Sequence, residues 1–280
     1  MTDALTICKR TRKIAADSLK NALKKLLKSR KQISEIDLRD AWLFELRKHK
    51  DIFPDGWYTP PPHGMGVLFG TDIKAQRLNF KSLRFEEYWP RADIFLDREH
   101  GFAMFYCSSV NRRSGIIGDF GMSIYLGKNK KIKESLQKEL DVIYSIFYKT
   151  QLGMRFSDVN KIARREIEKN CFSNEWWISI TDPNGTNYGH TIPGLVPKWN
   201  KEEMDIFHNG NYSKIIKLIN AKRKFVNSSE KTIIKPGLAF TIEPRALPKD
   251  NPTMPTIYFH TIAFFKENGE KKLLTGFDEI

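Results

Sequence analysis

The order of periodicities along the chain constrains its fold most. Apolar residues recur first at helical spacing, then at strand spacing, and then both patterns come round again. Ile14, Leu19, Leu23, Leu26 and Leu27, with lysines between them, predict a helix over residues 14–27. Ser34, followed three residues on by Asp37, makes an approximate capping box for a second helix reaching about residue 50. Pro54-Asp55-Gly56 and Pro60-Pro61-Pro62 then stop it. The middle is β-like over residues 92–96, 101–108 and 118–126, the last alternating Phe120, Met122 and Ile124. Helical patterns return over 131–150 and 157–169, with Gly153 at the break and Ser157 as the expected N-cap. Strands are expected over 176–181, 238–243 and 256–266, and Asn268-Gly269 makes a hairpin turn into 271–274. The polar stretch 198–229 carries a short helix near 212–220. Two helices then strands, twice over, is a weak internal duplication.

A chain of 280 residues, 40% hydrophobic, suits one large domain or two small halves sharing a core. No apolar run is long enough to span a bilayer, and residues 1–13 lack the apolar stretch of a secretory signal. The expectation is a soluble, cytoplasmic protein. Cys8, Cys107 and Cys171 are odd in number and widely spaced, which fits neither a zinc finger nor a disulfide framework. The net charge of +14 would attract polyanions. No nucleic-acid-binding motif accompanies it, so a solvated basic surface is the simpler account. The lysine-rich first helix could face a membrane surface or RNA, but such a stripe more often packs on its own domain.

The candidate chemistry lies in carboxylates at strand ends. Asp97 follows Ile94-Phe95-Leu96, Asp119 sits in Gly118-Asp119-Phe120-Gly121, and Glu243 follows Phe240-Thr241-Ile242. A buried carboxylate must be paired, protonated or bound to metal. His190 lies in the turn-rich Gly189-His190-Thr191-Ile192-Pro193-Gly194. Several carboxylates with one imidazole suit Mn, Fe, Co or Zn.

These segments resemble, in order, the motifs of the methionine aminopeptidase and Xaa-Pro aminopeptidase (creatinase-like) metallopeptidases. Arg91-Ala92-Asp93-Ile94-Phe95-Leu96-Asp97 is similar to that family's G-D-x-x-x-x-D strand, whose final Asp binds metal. Gly115-Ile116-Ile117-Gly118-Asp119-Phe120 resembles the segment whose Asp bridges two metals. The His190 turn resembles its G-H-x-x-G. Lys235-Pro236-Gly237-Leu238-Ala239-Phe240-Thr241-Ile242-Glu243-Pro244 is the strongest match, to x-x-G-M-x-F-T-I-E-P. Phe259-His260-Thr261-Ile262, Asn268-Gly269 and Leu274-Thr275 resemble the closing strand. The resemblance implies a pita-bread fold: an α/β (α+β) domain in which helices cover a curved antiparallel sheet. It also implies a single domain over 1–280, built of pseudo-two-fold halves at about 10–127 and 128–280.

The departures from the pattern matter as much. Phe259 stands where the resemblance calls for a fifth ligand, a bridging Glu. His260 is adjacent, and it reaches the site only through a bulge or a register shift, because neighbouring strand residues point to opposite faces. The loop between Asp97 and Asp119 is longer than the family's and carries Arg112 and Arg113. Two substrate-contacting histidines are missing, their places falling near Asn79 and Pro197. Asn79 can donate a hydrogen bond but cannot shuttle a proton. His63 is a stand-in for the proton-handling role, with a satisfied loop histidine as its simpler account.

The expected metal set is Asp97, Asp119, His190 and Glu243, with His260 as a conditional member. One ion is expected rather than two, held by Asp119, His190 and Glu243, with Asp97 behind them. The function expected is a metal-dependent enzyme, hydrolytic on a peptide or small amide (C–N) substrate. The alternative is a catalytically inactive pita-bread protein that binds peptide or nucleic acid. A mononuclear iron oxygenase is a third, weaker fit to two carboxylates and one histidine. Expected partners are a peptide or small-molecule substrate, nucleic acid along the basic first helix, and a second copy of the chain in a homodimer. No membrane partner is expected.

Overall fold

Burial of one helical face begins at Leu5, well before the apolar stripe becomes legible at Ile14. The computed structural model describes residues 4–29, 31–71, 76–80, 82–174, 188–249, 253–266 and 268–277. α1 (Ala4–Lys28) turns Leu5, Cys8, Thr11, Arg12, Ala15, Leu19 and Leu23 inward. Lys24, Lys25 and Lys28 stay exposed. A buried arginine among lysines hid the first half of this helix from a search for apolar periodicity. α1 packs on α2 (Glu35–Arg47), where the wholly buried Trp42 donates its indole N–H to the Ala15 carbonyl at 2.9 Å. The capping box forms as expected: Ser34 Oγ accepts from Asp37 N at 3.1 Å, and Asp37 Oδ2 accepts from Ser34 N at 2.9 Å.

An antiparallel sheet follows, built from β1 (Met65–Thr71), β2 (Gly101–Cys107) and β3 (Phe120–Tyr125). Then come α3 (Lys130–Lys149), α4 (Phe156–Lys169), β4 (Phe172–Asn174), α5 (Lys201–His208) and α6 (Tyr212–Lys222). The chain closes with β5 (Ala239–Ile242), β6 (Arg245–Pro248), β7 (Ile257–Phe265) and β8 (Lys271–Leu274). The strands make one curled sheet in the order β1-β2-β3-β7-β6-β4, with β5 and β8 also paired to β7. β7 is its spine. The start of β7 lies between β3 and β6, its remainder lies between β5 and β8, and all nine residues are buried. Pro244 supplies no ladder N–H, and the strand it interrupts is split there into β5 and β6.

Several expectations are corrected. Residues 92–96 form no strand, because their backbone is used elsewhere. Ile94 O accepts from Glu35 N, and Leu96 N donates to Ile33 O, so the segment lashes the start of α2. β1, β4, β6 and α5 were not anticipated. α4 starts at Phe156 with Arg155 as its N-cap, where Asp158 Oδ2 accepts from Arg155 N; Ser157 lies inside the helix. The strand expected over 176–181 falls outside the described residues. No helix among the described residues is long and apolar enough to cross a membrane.

α3 lays Ile132, Val142, Ile143, Ile146 and Phe147 toward the sheet. Glu139 sits within this stripe, fully buried, and neither of its oxygens has a hydrogen-bond partner among the described residues. Burial alone holds its carboxyl well above the usual carboxylate range. An acid whose folded pKa is raised lends its full stability below the unfolded pKa and loses it as pH climbs toward the folded value. Wild type should therefore lose up to about 1.4 kcal/mol per pH unit above about pH 4.5 on this account. Glu139→Gln should equal wild type near pH 4 and exceed it increasingly toward pH 8, as read by urea denaturation. Parallel pH profiles for the two proteins would refute this.

Candidate metal centre

The strand registers decide which side chains meet. In β7, His260 pairs with Gly121 of β3, and Thr261 pairs with Ile242 of β5, so the next residue, Glu243, comes beside His260. Alternation puts Tyr258 and His260 on one face and Phe259 on the other. Phe259 packs on Phe277 with ring centroids 5.1 Å apart. The expectation that His260 reaches the site only through a bulge or register shift is therefore corrected: the regular register turns His260, and not Phe259, toward it. Asp119 lies two residues before Gly121, on the same face of its strand.

His190 arrives from a loop pinned to β5. Its backbone N–H donates to Thr241 Oγ1 at 2.7 Å, and its carbonyl accepts from Thr241 N at 2.8 Å. Gly189 permits this approach. Its φ is +151°, and a Cβ there would lie 1.9 Å from the Thr241 carbonyl oxygen.

Four side chains converge. His190 Nε2 is 3.8 Å from Asp119 Oδ2 and 3.6 Å from Glu243 Oε1. His260 Nε2 is 3.8 Å from both Asp119 Oδ2 and Glu243 Oε2. One ligand atom each from Asp119, His190 and His260 lies within 4.8 Å of the others. These spacings are too long for hydrogen bonds. They leave room for a small ion or a polar ligand between the groups. Asp119 Oδ2 and His260 Nε2 are both buried with no hydrogen-bond partner among the described residues. Two orphaned polar atoms facing one point fit a cation or a polar ligand between them.

The outer partners are fixed. Trp57 Nε1 donates to Asp119 Oδ1 at 2.6 Å. Glu243 accepts from Thr241 Oγ1 at 2.7 Å and from the Tyr258 hydroxyl at 3.2 Å. The Arg223 guanidinium, after α6, lies 4.4 Å from the Trp57 ring centre and 5.0 Å from that of Phe225. Burial pushes the Asp119 carboxyl well above its usual range, against the Trp57 hydrogen bond. Burial likewise pushes Glu243 up to about 7, against the bonds from Thr241 and Tyr258. Burial, aided by Arg223, brings His190 down to about 3. Burial, Arg12 and His190 hold His260 well below the ordinary imidazole value. Both imidazoles are thus neutral at pH 7, as metal ligation requires.

Asp119, His190, Glu243 and His260 are brought together; the other candidates are not. Asp97 lies in a turn before β2, where its Oδ1 accepts from the backbone N–H groups of Glu99 and His100, each at 2.8 Å. Asp119 is at the far end of that seven-residue strand, roughly 20 Å away. The site end of β2 carries Cys107 and then Ser108, so no carboxylate enters from it. His63 binds Asp55 Oδ1 at 2.7 Å on a partly exposed turn. Asn79 accepts from Thr256 N at 2.8 Å and from its hydroxyl at 2.6 Å, tying its segment to the approach to β7. Sequence reasoning missed Trp57, Tyr258, Thr241, Arg223 and Arg12. Only Thr241 and Tyr258 carried a signal, lying two residues from site residues on the same strand.

No protein-family model and no curated protein sequence matches this chain. Solved structures do. A prolidase from Pyrococcus furiosus aligns with a TM-score of 0.61 at 14% identity, over 98% of this chain and 64% of that one. An Xaa-Pro dipeptidase from Bacillus anthracis gives 0.58 at 15% identity, over 95% and 59%. A methionine aminopeptidase from Rickettsia prowazekii gives 0.60 at 14% identity, over 97% and 96%. The chain has the pita-bread fold of these proteins. It spans about three fifths of the Bacillus dipeptidase, and the methionine aminopeptidase almost end to end.

The Gly189 approach gives a direct test. Gly189→Ala should destabilise the protein by about 2–4 kcal/mol, through backbone strain and overlap with Thr241. Chemical denaturation would measure it, and a loss below about 0.5 kcal/mol would show that the His190 loop is not held as described.

Proposed function

We propose that this chain is a metal-dependent hydrolase that cleaves a peptide or small amide at a site built for one divalent cation. The observation carrying this reading is the convergence of two carboxylates and two neutral imidazoles on one buried point, with Asp119 Oδ2 and His260 Nε2 left without other partners. Asp119, His190 and Glu243 would hold the ion, with His260 as the fourth wall. Their mixed oxygen and nitrogen donors suit Zn, Mn, Fe or Co. When bound, such a cation polarises a carbonyl and lowers the pKa of water toward neutrality.

The protein's own groups supply the rest. Thr241 and Tyr258 fix the Glu243 carboxylate, and Trp57 fixes that of Asp119, so neither must reorganise during turnover. Burial raises the Glu243 carboxyl to about 7 in the metal-free protein, so cation binding there would release a proton at neutral pH. Trp57 and Phe225 wall the site beside His190 and exclude water. Arg223 stacks near both rings and adds positive potential beside the carboxylates. The names of the structural neighbours make Xaa-Pro dipeptides and peptides with N-terminal methionine the first substrates to try.

One observation favours the alternative, a pita-bread protein that binds peptide or nucleic acid without turnover. Arg12 and Arg223 are both buried beside the two carboxylates and can balance their charge without a metal.

Metal titration of stripped protein separates the two. We expect one equivalent of Zn or Mn, raising stability by about 2.7 kcal/mol at a hundredfold excess over Kd. His190→Ala and Asp119→Asn should abolish that gain and any hydrolysis. Stripped protein that binds no cation, and is unchanged in stability by Asp119→Asn, would replace the hydrolase reading with the binding one.

A further inference from the structure

Two histidines face the same two carboxylates, yet their outer nitrogens meet opposite partners. His190 Nδ1 lies 2.9 Å from the Thr191 carbonyl oxygen, which can only accept. His190 therefore carries its hydrogen on Nδ1 and turns a bare Nε2 toward the site. His260 Nδ1 lies 3.2 Å from Arg12 Nη1, which can only donate.

The surroundings of Arg12 favour the same assignment. It is 2% exposed and has five N–H groups. Nε donates to the Thr275 carbonyl at 3.0 Å, and Nη2 donates to the carbonyls of His260 and Thr275. Nη1 donates one hydrogen to the Asp119 carbonyl, and the other meets His260 Nδ1. Five donors thus meet five acceptor positions. A hydrogen on His260 Nδ1 would oppose two buried donors, leaving both unsatisfied.

We infer that Arg12 locks His260 in the Nε2–H tautomer, so that His260 serves as a hydrogen-bond donor to the oxygen held in the site and not as a metal ligand. The N–H points into the gap before Asp119 Oδ2 and Glu243 Oε2, each 3.8 Å away and too far to accept it directly. A water or substrate oxygen in that gap can accept it. The ligands are then Asp119, Glu243 and His190, three protein groups with an open position. His260 is positioned to stabilise negative charge on the reacting oxygen. Arg12 contacts neither substrate nor ion; it is a positioning residue acting through His260.

The inference rests on the hydrolase reading for the role of His260, but the tautomer itself does not. The test is long-range 1H–15N correlation on protein labelled with 15N-histidine, with signals assigned from His190→Gln and His260→Gln. In metal-free protein we expect His260 protonated on Nε2 and bare on Nδ1, and His190 the reverse. An Nδ1–H on His260 overturns the proposal. On adding zinc, the Nε2 signal of His190 should move while the His260 pattern stays. Migration of the His260 hydrogen to Nδ1 also overturns it. Glutamine keeps an N–H near the position of Nε2, so His260→Gln should retain zinc affinity within about tenfold, whereas His190→Gln should lose more than about a hundredfold. Equal losses would make His260 a ligand. Should zinc not bind at all, the hydrolase reading fails, and the metal-free spectrum still decides the tautomer.

Discussion

β7 is hydrogen-bonded on both edges along its length, and this double pairing fixes everything the site requires. A strand with partners on both sides cannot slip by one residue without breaking two ladders and turning its whole buried set over. His260 faces the two carboxylates because Gly121 of β3 and the end of β5 hold it in register from opposite sides. The same constraint sends Phe259 to the opposite face, against Phe277. It also aims the Tyr258 hydroxyl at Glu243. Gly121 opposite His260 leaves room for the Tyr258 ring, since a Cβ there would come within 2.6 Å of it.

The buried carboxylate pair this assembles is costly electrostatically. Asp119 is fully buried and Glu243 nearly so, and both are driven toward protonation by loss of water. Compensation comes from two arginines on opposite sides. Arg12 reaches in from the first helix and spends its donors on carbonyls and one imidazole. Arg223 follows α6, between aromatic rings. Both lower the cost of the two carboxylate charges through their fields, and Asp119 Oδ2 is left without a hydrogen-bond partner among the described residues. A direct bidentate pair would have consumed that oxygen.

The sequence showed a good deal of this arrangement. Long helices with clear stripes, α3 above all, were visible because their period is unambiguous. The Ser34 capping box was visible because it is local chemistry. Asp119, His190 and Glu243 were visible as strand-end or turn-borne groups in an ordered resemblance, and coordinates bring them together. Asp97 misled because a short apolar run before a carboxylate looks alike in a strand and in a lash over a helix terminus. Only knowing where the backbone hydrogen bonds of residues 94–96 go separates the two. The masking of His260 by Phe259 had a related cause. Over a single residue of offset, register is set by partner strands distant in sequence, and the motif alone carries no information about them.

Arg12 shows the deeper limit. In sequence it is one basic residue among Lys9, Arg10 and Lys13 on a helix whose charge invites a solvated or polyanion-facing account. In space it is buried, stacked near Phe120 and Phe277, and bonded to three segments distant from it in sequence. Its place on the helix follows from α1 packing near β3, close to the closing strand and its exit at Thr275. A basic helix that looks like a surface feature thus contributes one residue to the interior, and on the tautomer proposed above that residue decides which nitrogen of His260 carries the hydrogen. The chemistry of the centre is therefore coupled to docking of the first helix. A change that loosened α1 would alter the hydrogen-bonding character of the site before it disturbed either carboxylate there.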